Sequence, residues 1–257
     1  MPLRTMHFDA RGALADSARE CEAEVFLRWF GNTREQLDDE YGPYEDRSVF
    51  LVIADGEEVV AFVRLVTPGP ADGFKTLVDV GAAPWGVDGE RSAAAAGIEL
   101  GSTWEVATLG VRKGAANPGV LSMALYHGLM TTARVNGMTA FIAVLDERVR
   151  RLLSSVGIIT RALPGTSTAT YLGSPSSTPV YAHFAPMLDN QRREFPDAYR
   201  LVTQGIGLDG VSVPPARSFR LQRERSLDLG TLEEAALHDT AAELGRIAQV
   251  PQRSLVH

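Results

Sequence analysis

One cysteine, Cys21, stands in 257 residues, so the chain has neither the partner for an intramolecular disulfide nor the thiolates of a cysteine zinc site. The five histidines are scattered without HxxxH or HxH spacing, and no metal centre is expected from them. No apolar run is long enough to cross a bilayer, and the N-terminal MPLRTMHFDARG lacks the apolar stretch of a signal peptide. Positive charge is not in excess: the net charge of −7 disfavours a nucleic-acid partner. Internal repeats are absent. These absences leave the expectation of a soluble, cytoplasmic, metal-free protein with no membrane partner. Its hydrophobic content of 45% suffices for one sizeable core with an appendage, or for two small domains.

The most informative stretch is TWEVATLGVRKGAANPGVLSMALYHGLMTTARVNG, from Thr103 to Gly137. Trp104 to Val111 is apolar and β-prone, broken by Glu105, Thr108 and Gly110. Asn117 fits an N-cap, with Pro118 at the first helical position, where its missing N–H costs nothing. Leu121, Leu125, Leu129 and Thr132 follow at helical spacing, and Gly137 fits a C-terminal stop. Between strand and helix, Arg112-Lys113-Gly114-Ala115-Ala116 combines two cations with small residues. Backbone N–H groups in such a turn, backed by a helix N-terminus, suit a phosphate or pyrophosphate. The alternative is an ordinary connection carrying exposed basic residues.

Around this unit the pattern predicts a helix over 16–30, ended by Gly31-Asn32, then an acidic, irregular loop from Glu35 to Asp46. Asp55-Gly56 marks a hairpin between apolar strands at 49–54 and 59–66, the second interrupted by Arg64, which needs a carboxylate if buried. A Gly-, Ala- and Pro-rich excursion follows, with a short strand expected at Thr76 to Val80. Met138 to Leu145 reads as a buried strand, and Asp146 as the N-cap of a helix stopped by Gly157. Ile158 to Ala162 and Val180 to Ala185 read as strands, and 174–179 as loop. After Met187 the composition turns charged, then Gly/Pro-rich. Arg217, Arg220, Arg223 and Arg225 precede a last amphipathic helix with a Thr231/Glu234 capping box. Two parts are therefore expected, 1–190 and a C-terminal helical extension, 191–257.

This order resembles the GNAT acyltransferase fold, an α/β fold with a central mixed, mostly antiparallel sheet flanked by helices. More specifically it resembles the branch of acyl-homoserine lactone synthases and long-chain N-acyl amino acid synthases. Three pieces carry the resemblance: Val25-Phe26 with Phe30-Gly31, Glu40-Tyr41-Gly42-Pro43-Tyr44-Glu45 together with Arg64-Leu65 and Thr67-Pro68, and Trp104-Glu105. It implies acyl-CoA or acyl-phosphopantetheine as donor, held by Leu109, Gly110, Val111, Arg112, Lys113, Gly114, Ala116 and Asn117. It also implies a substrate site around Trp29, Phe30, Glu40, Tyr44, Glu45, Arg64 and Trp104. The sequence departs from the pattern at Asn32, at Gly42 and Glu45 in the acidic segment, and at Ala107-Thr108-Leu109 after Trp104-Glu105. The set implied for S-adenosylmethionine is thus incomplete, and that compound is not the expected acceptor.

Acyl transfer from a thioester needs a neutral amine, a polarised carbonyl and an anchored donor. Glu105, interrupting an apolar strand, is the expected general base; the competing role is a structural ion pair with Arg64. The expected activity is N-acyl transfer to a small amine such as an amino acid. Acyl-homoserine lactone synthesis and a non-catalytic acyl- or carrier-protein-binding module are the alternatives. Arg148, Arg150 and Arg151 are the expected docking patch for an acyl carrier protein, whose surface is acidic.

Overall fold

The structure, a computed structural model, describes residues 4–221. Among them the chain runs β1 (Arg4–Phe8), α1 (Ala13–Phe30), α2 (Arg34–Tyr41), β2 (Ser48–Asp55), β3 (Glu58–Val66), α3 (Lys75–Asp79), α4 (Gly89–Ala95), β4 (Thr103–Val111) and α5 (Pro118–Val135). It continues through β5 (Ala140–Asp146), α6 (Glu147–Ser155), β6 (Arg161–Ala162), β7 (Ala169–Tyr171), β8 (Ser174–His183), α7 (Phe184–Glu194), α8 (Pro196–Gln204) and β9 (Val211–Ser212). The strands form one sheet in the order β6-β8-β5-β4-β3-β2-β1-β9, with β7 also on β8. Only β4–β5 and β1–β9 are parallel, so the sheet is mixed and mostly antiparallel. Phe50 and Val52 of β2 pack with Ala18, Cys21 and Val25 of α1. Leu51, between them, meets Gly128 of α5. Successive strand residues point to opposite faces, so α1 and α5 cover opposite sides. Gly128 lets the helix approach closely: a Cβ would sit 2.8 Å from Leu51 Cδ2 and 2.9 Å from Met6 Sδ, and those side chains would have to shift.

Several expectations change. The acidic segment is not an irregular loop. Thr33 and Gln36 form a capping box, with Thr33 N–H donating to Gln36 Oε1 at 2.8 Å and Gln36 N–H to Thr33 Oγ1 at 3.3 Å. It starts α2, which buries Leu37 and Tyr41 under its acidic outer face. Thr76 to Val80 is not a strand but largely α3. Phe74 and Leu77 both enter one buried cluster, and residues three apart share a face on a helix but not on a strand. The segment 174–179 is the first half of β8, because β5 needs an antiparallel partner: Ser177 pairs with Asp146 and Pro179 with Val144. Asn117 adopts the left-handed conformation and makes no side-chain cap bond, although Pro118 does open α5. One compact unit runs to Arg220. α8 buries Val202 in a cluster with Tyr126 of α5, and β9 extends the sheet beside β1. Arg223, Arg225 and the last amphipathic helix lie outside the described residues.

Candidate active site

The site arises where β4 and β5 part. These parallel strands pair only at Thr103–Ala140, Trp104–Phe141 and Glu105–Ile142. β4 continues to Val111 beside β3, while β5 continues to Asp146 beside β8. The wedge between them is lined on one side by Val106 to Leu109 and on the other by Val144 to Asp146. β4 also carries a bulge. Arg64 pairs with Thr108 but Leu65 pairs with Val106, leaving Ala107 as the extra residue. Its carbonyl accepts from the Tyr41 hydroxyl at 3.4 Å. The extra residue reverses the alternation of faces. Glu105 and Thr108 therefore look toward α1–α3, while Trp104, Val106 and Leu109 line an apolar cavity against α5 and α6.

Glu105 is 2% exposed. Its Oε1 accepts from Thr76 N–H at 2.8 Å and from Thr76 Oγ1 at 2.7 Å, while its buried Oε2 has no hydrogen-bond partner. Burial pushes its pKa up to about 7, against the lowering effect of the Thr76 bonds. It is thus a carboxylate that exchanges a proton near neutrality. The competing ion pair with Arg64 does not form. Arg64 reaches across to α1, with Nη2 at 2.6 Å from Glu22 Oε2 and Nε at 3.1 Å from Glu22 Oε1. Its Nη1 meets Glu45 Oε2 at 2.9 Å, and its guanidinium stacks over Phe50 and Tyr41. Thr108 donates to the same Glu22. Burial raises the Glu45 carboxyl, but Arg19 and Arg64 outweigh it and hold it below the usual range.

Two spaces with a shared wall flank the wedge. The polar chamber, about 90 Å³, holds Glu105, Lys75, Tyr41, Tyr171, Asp146 and Ser174 with Phe26 and Phe30. The second cavity, about 60 Å³, is walled by apolar side chains such as Trp104, Leu129, Met130, Phe141 and Phe184. That is several times the roughly 10–15 Å³ one water needs. Val106, Leu109, Leu145 and Val149 line both. Buried Lys75 sits at 2.5 Å from Glu40 and 2.6 Å from Asp79, and donates to Tyr171 at 3.1 Å. Burial pushes the Tyr171 phenol far up, so it stays a hydroxyl and donates to Asp79.

Of the expected residues, Phe30, Glu105 and Leu109 meet in the chamber, Trp104 lines the apolar cavity, and Glu40 reaches the chamber's edge through Lys75. Arg64 and Glu45 instead line a neighbouring polar recess with Arg19 and Tyr41. Tyr44 is buried outside both spaces, its carbonyl accepting from Ser48. Trp29 is 56% exposed, between Arg28 and Arg148. Arg112 is turned away from the anion turn. Its guanidinium faces Glu58 and Glu24, and its N–H donates to Val60 O at 2.8 Å. By strand alternation Gly110 N–H also points to β3, whereas Leu109 and Val111 N–H point to the open side. Lys113 and Gly114 remain exposed at the turn before α5. Asp146 caps α6, held by Arg148 at 3.0 Å and by Ser174 at 2.7 Å. Arg150 is bound to Glu147 and Thr178, and Arg151 is exposed.

Sequence reasoning misses Glu22, Lys75, Thr76, Asp79, Asp146 as a chamber residue, and Tyr171. Two had a signal. Glu22 lies at i+4 from Ala18 and three before Val25, a charge on the apolar stripe of α1. Lys75 and Asp79 are spaced for an i,i+4 pair.

The sheet order, the strand splay and the bulge define a GNAT-like fold. Solved structures share this fold. The chain superposes on FeeM, an N-acyl amino acid synthase from uncultured soil microbes, with a TM-score of 0.57 at 11% identity over 74% of this chain and 96% of that one. It superposes on BjaI, a CoA-dependent acyl-homoserine lactone synthase with S-adenosylmethionine and isopentyl-CoA, with a TM-score of 0.51 at 14% identity, covering 84% and 96%. No protein-family model and no curated protein matches the sequence. Among the described residues no helix is long and apolar enough to cross a membrane, and no three His, Cys, Asp or Glu side chains are grouped to hold a metal ion.

Proposed function

We propose that this protein is an N-acyltransferase that moves an acyl group from a phosphopantetheine thioester to a small amine. The observation that carries this reading is Glu105: a buried carboxylate with one unpartnered oxygen, set in a strand wedge between a polar chamber and an apolar cavity. The acyl chain lies in the apolar cavity, where its transfer from water stabilises binding by about 0.8 kcal/mol per methylene. Glu105 takes the proton from the acceptor ammonium. The amine nitrogen then attacks the thioester carbonyl carbon, and Leu109 N–H, pointing into the wedge, donates to the developing oxyanion. The C–S bond breaks, and the departing thiolate takes up the second proton, which the nitrogen loses as the amide forms. No covalent enzyme intermediate is needed; Cys21 is buried on α1 away from the wedge.

The phosphate of the donor lies at Lys113, Gly114, Ala116 and the first turn of α5, without Arg112, which the carboxylates of Glu24 and Glu58 engage. Acyl-CoA is therefore expected to raise the melting temperature, and the matching acyl-pantetheine without phosphate to raise it less. Equal shifts from both, or none from either, would remove the anion turn from the account.

CoA and a carrier protein present the same arm, and the basic face of α6 distinguishes them. Arg148 is unsuitable as a probe because it holds Asp146 inside the chamber; exposed Arg151 is the better choice. With an acyl carrier protein as donor, Arg151→Glu should raise its KM several-fold, with the effect fading as salt is added, and leave the KM for acyl-CoA unchanged. An equal response of both donors would remove the α6 face as a docking site and favour free acyl-CoA.

A further inference from the structure

The chamber wall also bears on which amine is acylated, an inference that rests on the acyl-transfer reading. A free amino acid entering the chamber brings a carboxylate, and a buried carboxylate needs a cation or several donors. Lys75 is the one cation among the described residues lining the chamber. An ammonium has three N–H groups, and three oxygens surround this one: Glu40 Oε2, Asp79 Oδ2 and the Tyr171 hydroxyl. Lys75 is 3% exposed, so no further face of it is open. Two carboxylates on one ammonium leave the group net negative before Glu105 is counted.

Most hydroxyl donors are committed too: Tyr41 donates to Ala107 O, Thr76 to Glu105, Thr108 to Glu22, Ser174 to Asp146 and Tyr171 to Asp79, which leaves the neutral Ser177 hydroxyl among the described lining residues. Against this, Glu105 Oε2 is a buried acceptor atom with nothing bonded to it. The wall offers oxygen acceptors and negative charge, and no uncommitted cation. We infer that the acceptor is a cationic primary amine without a free carboxylate, an alkylamine or a carboxyl-blocked amino compound, and not a free amino acid. The ammonium binds against Glu105 and gives it the proton. A carboxylate in the same space would face Glu105 and the Glu40–Asp79 pair with no counter-charge.

The test is thiol release from acyl-CoA with three acceptors of one carbon skeleton: leucine, leucinamide and isoamylamine. The two amines bracket leucine in basicity, so a preference they share reports the missing carboxylate and not the amine's protonation. Both are expected to show kcat/KM at least tenfold above leucine. Asp79→Asn removes one negative charge beside Lys75 and should narrow that gap, a change of ratio that a purely structural role would not produce. Leucine equal to or better than the amines would overturn the inference and leave acyl transfer standing. If no acceptor releases thiol, thermal shifts of the acyl-CoA-saturated protein decide. Stabilisation by the amines and not by leucine upholds the amine preference, and equal or absent stabilisation overturns it. Absence of any shift by acyl-CoA itself, with no thiol released, would overturn the acyl-transfer reading along with it.

Discussion

Glu105→Gln is expected to lower kcat by about 10²- to 10⁴-fold, the usual contribution of a positioned general base, while thermal protection by acyl-CoA stays at the wild-type level. The substitution keeps the side chain's size and its acceptor for Thr76, and removes the proton site. The wild-type rate should rise with pH through about 7, where burial places this carboxyl, and the variant should lose that limb. Stability should run the other way. The folded pKa lies above the ordinary 4.5, so between pH 4.5 and 7 the folded protein holds a proton that the unfolded chain releases. The contribution of Glu105 to stability therefore falls as pH rises through that window, and its cost is fully present above pH 7. The glutamine variant should be the more stable protein at pH 8, by up to about 3 kcal/mol at 1.36 kcal/mol per unit, and should lose that advantage near pH 4. A variant that kept its turnover, or a wild-type profile flat through neutrality, would show that Glu105 is a structural residue.

Arg64→Leu is expected to destabilise the protein by about 3–5 kcal/mol, the usual penalty for leaving half of a buried ion pair behind. Arg64 and Glu22 are 3% and 1% exposed and face each other through two bonds. Removing the guanidinium strands the buried Glu22 carboxylate with the Thr108 hydroxyl as its remaining partner among the described residues. Adding Glu22→Leu should return most of the loss, because the stranded charge goes with it and the side chain joins the neighbouring cluster of Cys21, Val25 and Phe62. Urea unfolding of the two single variants and the double variant measures the coupling. A double variant no more stable than Arg64→Leu would mean that the arginine acts through its stacking on Phe50 and Tyr41 and not through the ion pair.

The parts that chain-local signals specify were legible. The β2–β3 hairpin follows from apolar runs around a Gly-containing turn. α5 follows from Pro118 and a helical apolar period, and α6 from the Asp146 cap, whose carboxylate does accept the Arg148 N–H. The resemblance carried by Glu40 to Glu45, Arg64 and Trp104-Glu105 anticipated the sheet that these elements build. The acidic segment does not read as a helix because most of its charges lie on the exposed side of α2. The two buried positions, Leu37 and Tyr41, are too few to show a period. Lys75 was lost in a stretch whose Gly, Ala and Pro content hides a five-residue helix.

Composition and local pattern by themselves determined the order of most strands and helices, the place of the turn before α5, and Glu105 as an acid in an apolar strand. Those features depend on caps, turns and periodicities that act over a few residues. Only the tertiary structure decided what the acid does. One unpaired residue, Ala107, turns Glu105 and Thr108 to the same face, and that is a property of β4's register against β3 and not of β4 alone. The partner of Arg64 is Glu22 because α1 lies across β3, a contact between residues 42 apart. With the arginine satisfied there, Glu105 keeps one oxygen free inside the wedge. The wedge exists because β5, paired with β8 along its whole length, parts from β4 after three pairs.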